Sequence, residues 1–190
     1  MTSGDEVITV YDAAGTVVGT AARAEVYARS LWHGSAGVIL RSTDGARVYV
    51  HRRADDKLVM PGLWDCVAGG VVDPGETPLE AASRELAEEL GVRGVELQAL
   101  LTVAWESGPG PGLGGPEGLR CHLFGYTAFS DGPVHHQPSE VAEGGWRTNA
   151  ELAALLTDPA RPFAPDSRVL AEHFLATLAE RPELDEPGTP

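Results

Sequence analysis

The sequence predicts a single α/β domain in which a mixed β-sheet has helices on both faces. Two observations support this fold class. Runs rich in β-branched and aromatic residues interleave with amphipathic runs of helical period, but without the regular strand–helix alternation of a parallel sheet. The 190 residues are also enough for one substantial core. We expect residues 1–182 to form this domain and residues 183–190 to be a disordered tail.

The N-terminal part of the chain is predicted to contain two pairs of strands. They are residues 7–11, 16–20, 36–41 and 47–52. The first pair predicts an N-terminal β-hairpin over about residues 5–22. The Asp44-Gly45 turn between the strands of the second pair is typical of a hairpin. Residues 23–31, between the two pairs, are compatible with a short helix or an extended linker.

The C-terminal part is predicted to contain two more strands and two helices. The strands are residues 95–105 and 119–129, and the Gly/Pro-rich segment between them predicts no regular element. A capping box formed by Thr148 and Glu151 predicts the start of a short helix. The last helix is predicted from Asp166 to Glu180.

A central helix is the best-defined element, within the stretch GGVVDPGETPLEAASRELAEELGV at residues 69–92. Thr77 is a favourable N-cap, Pro78 suits the first helical position, and Glu80 completes a capping box. Gly91 is typical of a helix C-terminus. The apolar residues that recur at three- and four-residue steps form the predicted buried stripe. They are Leu79, Ala82, Leu86 and Leu90.

Glu85, Glu88 and Glu89 lie within one turn at the C-terminal end of this helix. Like charges at this spacing repel, and the negative end of the helix dipole makes the position worse. Arg84 can offset part of this repulsion, and a hard divalent cation would offset more. Taken alone, the cluster is compatible with a metal site and with a solvated acidic face.

The residues around these acids resemble the Nudix box, the signature of the Nudix hydrolases, which cleave diphosphate linkages. The matching positions are Gly70, Glu76, Arg84-Glu85-Leu86, Glu88-Glu89 and Gly91-Val92. The resemblance implies a Nudix α/β/α sandwich with an N-terminal hairpin. It implies that Glu85, Glu88 and Glu89 bind Mg²⁺, or Mn²⁺ as a substitute, with the Gly69 carbonyl as a further ligand. It also implies that Glu76 orders the loop and that Arg84 orients the glutamates.

Three cations lie close together just before the box, and they are Arg52, Arg53 and Lys57. Because the chain has only 14 Lys and Arg, their proximity favours a phosphate clamp over solvated charge at a strand end. This segment, with Pro61-Gly62 and Trp64, resembles the branch that includes isopentenyl-diphosphate isomerase. That resemblance implicates Arg53 and Lys57 in diphosphate binding.

Departures from the isomerase pattern favour hydrolysis over isomerisation. Gly69 stands where the isomerases have their catalytic cysteine, and Cys66 does not take that place. Val71 stands where they have a metal-binding histidine.

Many Nudix enzymes supply a further carboxylate from a later loop, for which Glu140 fits best and Glu143 is the alternative. The general base is therefore predicted to be Glu89 or Glu140.

The composition limits the classes of partner. A formal net charge of −14 argues against nucleic-acid and membrane-surface binding. The chain has no apolar run long enough to span a membrane and no secretory signal, so we expect a cytoplasmic protein.

The predicted function is Mg²⁺-dependent hydrolysis of a diphosphate linkage, in a nucleoside diphosphate derivative. Isomerisation of a prenyl diphosphate and non-catalytic nucleotide sensing are the alternatives, and a homodimer is expected only from the family.

Overall fold

The structure, a computed structural model, describes residues 6–110, 113 and 115–180, which contain nine strands and four helices. The strands are β1 (Val7–Tyr11), β2 (Val17–Ala22), β3 (Trp32–Arg41), β4 (Arg47–Arg53), β5 (Trp64–Asp65), β6 (Val67–Val71), β7 (Gln98–Glu106), β8 (Arg120–Phe129) and β9 (Val141–Thr148). The helices are α1 (Arg23–Ala28), α2 (Pro78–Glu89), α3 (Asn149–Thr157) and α4 (Pro165–Glu180). The predicted tail at residues 183–190 lies outside the described residues.

The sheet is mixed and is built around β3. This strand pairs antiparallel with β6 and parallel with β8, while β7 extends the sheet beyond β8. Near the N-terminal end of β3, His33 contacts β1. Strands β1 and β2 form the hairpin that the sequence predicts. None of the helices in the described residues is long and apolar enough to cross a membrane.

The second predicted hairpin, between β3 and β4, forms only next to its turn, where the two strands pair antiparallel. The two strands are in register only at Arg41 and Val48. Beyond that point β4 pairs along its length with β9, from Arg47 opposite Thr148 to Arg53 opposite Val141. The reason is that a strand has two edges, and β6 and β8 already occupy those of β3.

Alternation along β3 distributes the core between the two faces of the sheet. Ile39 packs with α3 and α4, in a cluster that includes Leu152 and Phe174. Val38 and Leu40 pack with α2 on the other face. Helices therefore cover both faces, and the predicted α/β/α sandwich is confirmed.

One residue of the predicted stripe on α2 is exposed. Leu86 and Leu90 are each 1% exposed and Ala82 is fully buried, but Leu79 is 48% exposed. Leu79 lies in the first turn of the helix, at the margin of the face that meets the sheet. Ala81 is buried instead. The periodicity predicted the correct face of the helix but not its exact edge.

Candidate active site

The caps of α2 set the position of its acidic end. Thr77 Oγ1 accepts a hydrogen bond from the Glu80 backbone at 3.3 Å, and the Glu80 carboxylate accepts one from the Thr77 backbone at 2.8 Å. Gly91 adopts a φ of +71° just after the helix, a conformation that glycine reaches without strain. The capping box and the stop are both confirmed, and the helix ends beside β6.

The three glutamates of α2 occupy different environments. Glu89 is 2% exposed and accepts a hydrogen bond from the Gly69 backbone at 3.2 Å. Burial, and then the neighbouring Glu85, raise the pKa of Glu89 to about 8. Burial also raises the pKa of Glu85, against the lowering effect of Arg84. Only Glu88, with a side chain 51% exposed, lies on a solvated face. The interpretation of the cluster as a solvated acidic face is therefore wrong for two of its members.

Arg84 connects the helix to the loop that precedes it. Its guanidinium donates to both oxygens of Glu76, at 2.8 and 2.9 Å, and to Glu85 at 2.6 Å. The Val71 carbonyl accepts a further bond at 3.1 Å. Hydrogen bonds from Arg84 lower the pKa of Glu76, which is therefore ionised at neutral pH. These contacts place Glu76 and Arg84 in a position to order the loop and the glutamates.

The residues near β6 suit a hard cation, although their present arrangement is not a coordination site. Within the described parts of the chain, no group of three or more His, Cys, Asp or Glu side chains is arranged to hold a metal ion. Glu85 is turned toward Arg84, and Glu89 toward the Gly69 backbone. Carboxylate oxygens are nevertheless the donors that Mg²⁺ prefers. A Cβ at Gly70 would collide with the Glu85 carboxylate, so glycine keeps that space open. Convergence of the three acids on one ion stays a prediction.

A cavity of about 180 Å³ lies between the acidic end of α2 and a group of cations. Glu85, Glu88 and Glu89 line it from α2. Besides Arg84 of α2, three cations from other parts of the chain line it, and they are Arg23, Arg53 and Lys57. The cavity therefore combines acids able to hold a metal with cations able to hold phosphate.

Arg53 is buried beside the cavity and holds the β4–β5 loop in place. Its guanidinium donates to the carbonyls of Met60 and Val59, at 3.1 and 3.2 Å, and to Asp65 at 3.3 Å. Its side chain is 13% exposed and that of Asp65 only 2%. Arg53 therefore fixes the loop that carries Lys57, besides facing the cavity.

Lys57 and Glu140 form an ion pair at the edge of the cavity. Burial, and then the charge of Arg53, lower the pKa of Lys57. Glu143, the alternative to Glu140, instead pairs with Arg52 at 3.1 Å and does not line the cavity. Of the two loop acids, only Glu140 lies at the site.

Arg52 does not reach the cavity, contrary to the prediction that it binds substrate. Its guanidinium pairs with the exposed acids Asp55 and Glu143. Arg53 instead pairs with the buried Asp65 and lines the cavity, so the two neighbouring arginines serve different parts of the structure. Cys66 is buried in the core, while Gly69 and Val71 line the cavity. The position of the isomerase cysteine is thus occupied by a glycine at the site itself.

Several residues at the cavity escaped sequence reasoning. Arg23 of α1 donates to Tyr27 Oη at 2.8 Å and to Glu6 at 2.7 Å, and His33 of β3 and Asp166 of α4 are also lining residues. Arg23, His33 and Asp166 come from three different elements, and none belongs to a local motif. Asp166 stands at the predicted start of the last helix. The sequence contains no signal that marks Arg23 or His33 as site residues.

Comparison with known proteins agrees with the fold. The NUDIX domain family model matches residues 31–169. A Rhodococcus erythropolis protein named as the Nudix hydrolase orf19 is 51% identical over 175 residues, covering 90% of this chain and 92% of that protein. DR0079 from Deinococcus radiodurans has a similar structure, with a TM-score of 0.69 at 24% identity, covering 88% of this chain and 98% of that one.

A second solved structure is the NUDIX domain of Shewanella oneidensis NrtR in complex with ADP ribose. It has a TM-score of 0.58 at 23% identity and covers 77% of this chain and 88% of that chain. At these identities the two structures establish the shared fold only. The family match and the orf19 similarity go further, because each spans most of the domain. The chain therefore belongs to the Nudix family and is a Nudix-type pyrophosphohydrolase.

Proposed function

We propose that this enzyme hydrolyses the diphosphate linkage of a nucleoside diphosphate derivative, with Mg²⁺ as cofactor and Mn²⁺ as a substitute. The observation that carries the proposal is the single cavity that joins the acids of α2 to Arg53 and Lys57. Nudix hydrolases in general need divalent cations. The NrtR domain complexed with ADP ribose supports a small-molecule substrate of this class. We further propose that residues 1–182 form one Nudix domain, and a homodimer stays a family-level expectation.

The proposed roles follow from the contacts of each residue. Glu85, Glu88 and Glu89, with the Gly69 carbonyl, would hold the cation, and Arg84 and Glu76 would keep them oriented. When bound, the cation would neutralise phosphate oxygens and lower the pKa of a water molecule. Arg53 and Lys57 would bind the diphosphate. Glu89 and Glu140 remain the candidates for the general base.

The ion pair between Lys57 and Glu140 bears on which carboxylate is the general base. A carboxylate engaged by a lysine is a weaker proton acceptor than a free one. If diphosphate displaces Glu140 from Lys57, the carboxylate is released when substrate is present. Replacement of Glu140 by Gln separates the roles, because loss of a base lowers kcat whereas loss of a lysine partner changes mainly KM.

The proposal is tested by a substrate panel assayed with Mg²⁺ and with Mn²⁺. The panel contains nucleoside di- and triphosphates, ADP-ribose, dinucleoside polyphosphates and prenyl diphosphates. We expect metal-dependent cleavage of at least one nucleoside diphosphate derivative, detected as two phosphate-bearing products. Turnover of none of them would contradict the proposal. Conversion of isopentenyl diphosphate without cleavage would instead establish the isomerase, which the glycine at position 69 disfavours.

A further inference from the structure

Asp166 is fixed at the wall of the cavity by contacts made outside α4. The segment before this helix lies beside β5, where Phe163 and Trp64 form a parallel bridge. Trp64 donates to the Pro162 carbonyl at 2.9 Å, and Ala164 donates to the Trp64 carbonyl at 2.8 Å. These bonds attach the start of α4 to the strand that precedes β6. Asp166 therefore has a defined place at the cavity, although it is distant in sequence from the Nudix box.

The Asp166 carboxylate keeps the capacity to bind a ligand, because its two oxygens can together accept about four hydrogen bonds. Oδ1 accepts a hydrogen bond from the Ser167 backbone at 2.8 Å. Arg53 is near enough to affect Asp166 electrostatically, but its described hydrogen bonds go to Met60, Val59 and Asp65. Within the described residues, the hydrogen bonds on this carboxylate come from backbone N–H groups, those of Ser167 and of Asp166 itself. The residue is partly exposed, and it lines the cavity.

Asp166 lies where the cavity meets the hydrophobic core. A smaller cavity of about 30 Å³ adjoins the first, and Ser35, Gly69, Arg53 and Asp166 line both. Core residues such as Leu170 line part of the smaller one. Burial, and then Asp65, raise the pKa of Asp166, consistent with limited contact with water. A group that binds at this inner end replaces the water around the carboxylate.

The chemistry of that group follows from the cost of burying a polar atom without a partner. A hydrocarbon placed against the carboxylate would desolvate it and offer no hydrogen bond in return. A hydroxyl would restore one, whether the carboxyl is ionised or protonated. Sites that hydrogen-bond a substrate hydroxyl reject analogues that lack it much more strongly than apolar pockets reject a size difference.

We propose that Asp166 is a specificity-determining residue that contacts substrate and binds a hydroxyl on the organic group next to the diphosphate. This inference rests on the proposed function, since it places the diphosphate on Arg53 and Lys57. The substrate class is then a diphosphate with a sugar-like, hydroxyl-bearing group, and prenyl diphosphates are excluded by desolvation of Asp166.

The test compares ligands that differ only in hydroxyl groups. ADP and 2′,3′-dideoxy-ADP form one pair; 4-hydroxy-3-methylbut-2-enyl diphosphate and dimethylallyl diphosphate form a second. Binding is measured by calorimetry with Mg²⁺ for the native protein, Asp166→Leu and Asp166→Asn. We expect native protein to bind the hydroxylated member of at least one pair about tenfold or more tightly. Asp166→Leu should bring that ratio close to one, and Asp166→Asn should have a smaller effect.

Inorganic diphosphate and Glu172→Gln are the controls. Glu172 is an exposed acid on the same helix, so its replacement should leave every ratio unchanged. Affinity for inorganic diphosphate should stay within about twofold in both Asp166 variants, which also shows that they fold. A native protein with no preference in either pair, or a preference that survives Asp166→Leu, overturns the inference. Equal weakening of inorganic diphosphate would overturn it too, because Asp166 would then act through Arg53. Cleavage assays on the same ligands report separately on the proposed function.

Discussion

The two sides of the cavity are built in different ways. The acidic side comes from one helix of 12 residues, whose start, stop and charges are all set by neighbouring residues. The cationic side combines Arg23 from α1, Arg53 from β4 and Lys57 from the following loop. The first is a local structure docked on the sheet, whereas the second exists only when distant segments pack together.

Arg84 on the acidic side and Arg53 on the cationic side show the same difference. Arg84 mainly binds carboxylates, three of which belong to the box. Arg53 binds two backbone carbonyls and the buried Asp65. Arg84 therefore connects charged groups to one another, whereas Arg53 connects the loop after β4 to a buried acid. Substitutions of the α2 acids should affect mainly chemistry, whereas substitutions at Arg53 should affect stability as well as diphosphate binding.

The largest expected effect is the loss of stability in Arg53→Gln. Removing this guanidinium leaves Asp65 buried without its partner, which typically costs about 3–5 kcal/mol. Urea unfolding followed by circular dichroism measures the change. Arg52→Gln is the matched control, since its partners are exposed and pairs of that kind contribute about 0–1 kcal/mol. Similar losses in the two variants would remove the proposed contrast between the sides of the cavity.

The next prediction concerns the acidic side of the cavity and the turnover of Glu88→Gln and Glu89→Gln. Each removes a carboxylate proposed to hold the cation, so kcat should fall about 100-fold or more while the fold persists. Phosphate release with Mg²⁺ and the thermal unfolding curve are measured together on both proteins. Glu96→Gln, at an exposed residue beyond α2, should retain native turnover. Full activity in both box variants would contradict the proposed metal site.

A pH effect of intermediate size is expected from His51 on β4. The residue is 1% exposed, and burial lowers its pKa to about 4. Its unfolded pKa is about 6.5, so the unfolded chain binds more protons between these values and stability falls as the pH drops. For this residue the loss between pH 7 and pH 5 is about 2 kcal/mol.

His51→Gln should lower that pH dependence, as seen in urea unfolding at pH 7 and pH 5. His173→Gln, at an exposed residue of α4, should leave the dependence as it is in the native protein. An unchanged pH slope in His51→Gln would show that His51 is not held neutral by the fold.

The smallest expected effect is that of Thr77→Ala. It removes the N-cap of α2, which is worth about 1 kcal/mol in proteins. Chemical denaturation should resolve this loss, and turnover at saturating substrate should change little because the acids lie at the opposite end of the helix. Thr177→Ala on α4, which lacks a cap role, should stay within about 0.5 kcal/mol. A strong loss of turnover in Thr77→Ala would show that the cap also positions the acids.

Features that depend on interactions between neighbouring residues could be predicted from the sequence, whereas features that depend on distant segments could not. Both capping boxes, the hairpin of β1 and β2 and the two-faced sandwich follow from neighbouring residues and from periodicity, and all of them are observed. The pairing of β4 with β9 could not be predicted, because competition for the edges of β3 decides it. The same holds for Arg52, whose distance from the cavity depends on the face of β4 that the sheet buries.

The sequence by itself determined the acidic helix, since caps, helical period and charge spacing act within a few residues of one another. It also determined the family, through residue types at fixed positions in one loop and helix. Only the tertiary structure decided which cations and which further acid face that helix. Arg23, Arg53 and Asp166 meet there because burial of apolar surface brings α1, β4 and α4 together, and this depends on the whole chain rather than on any one segment.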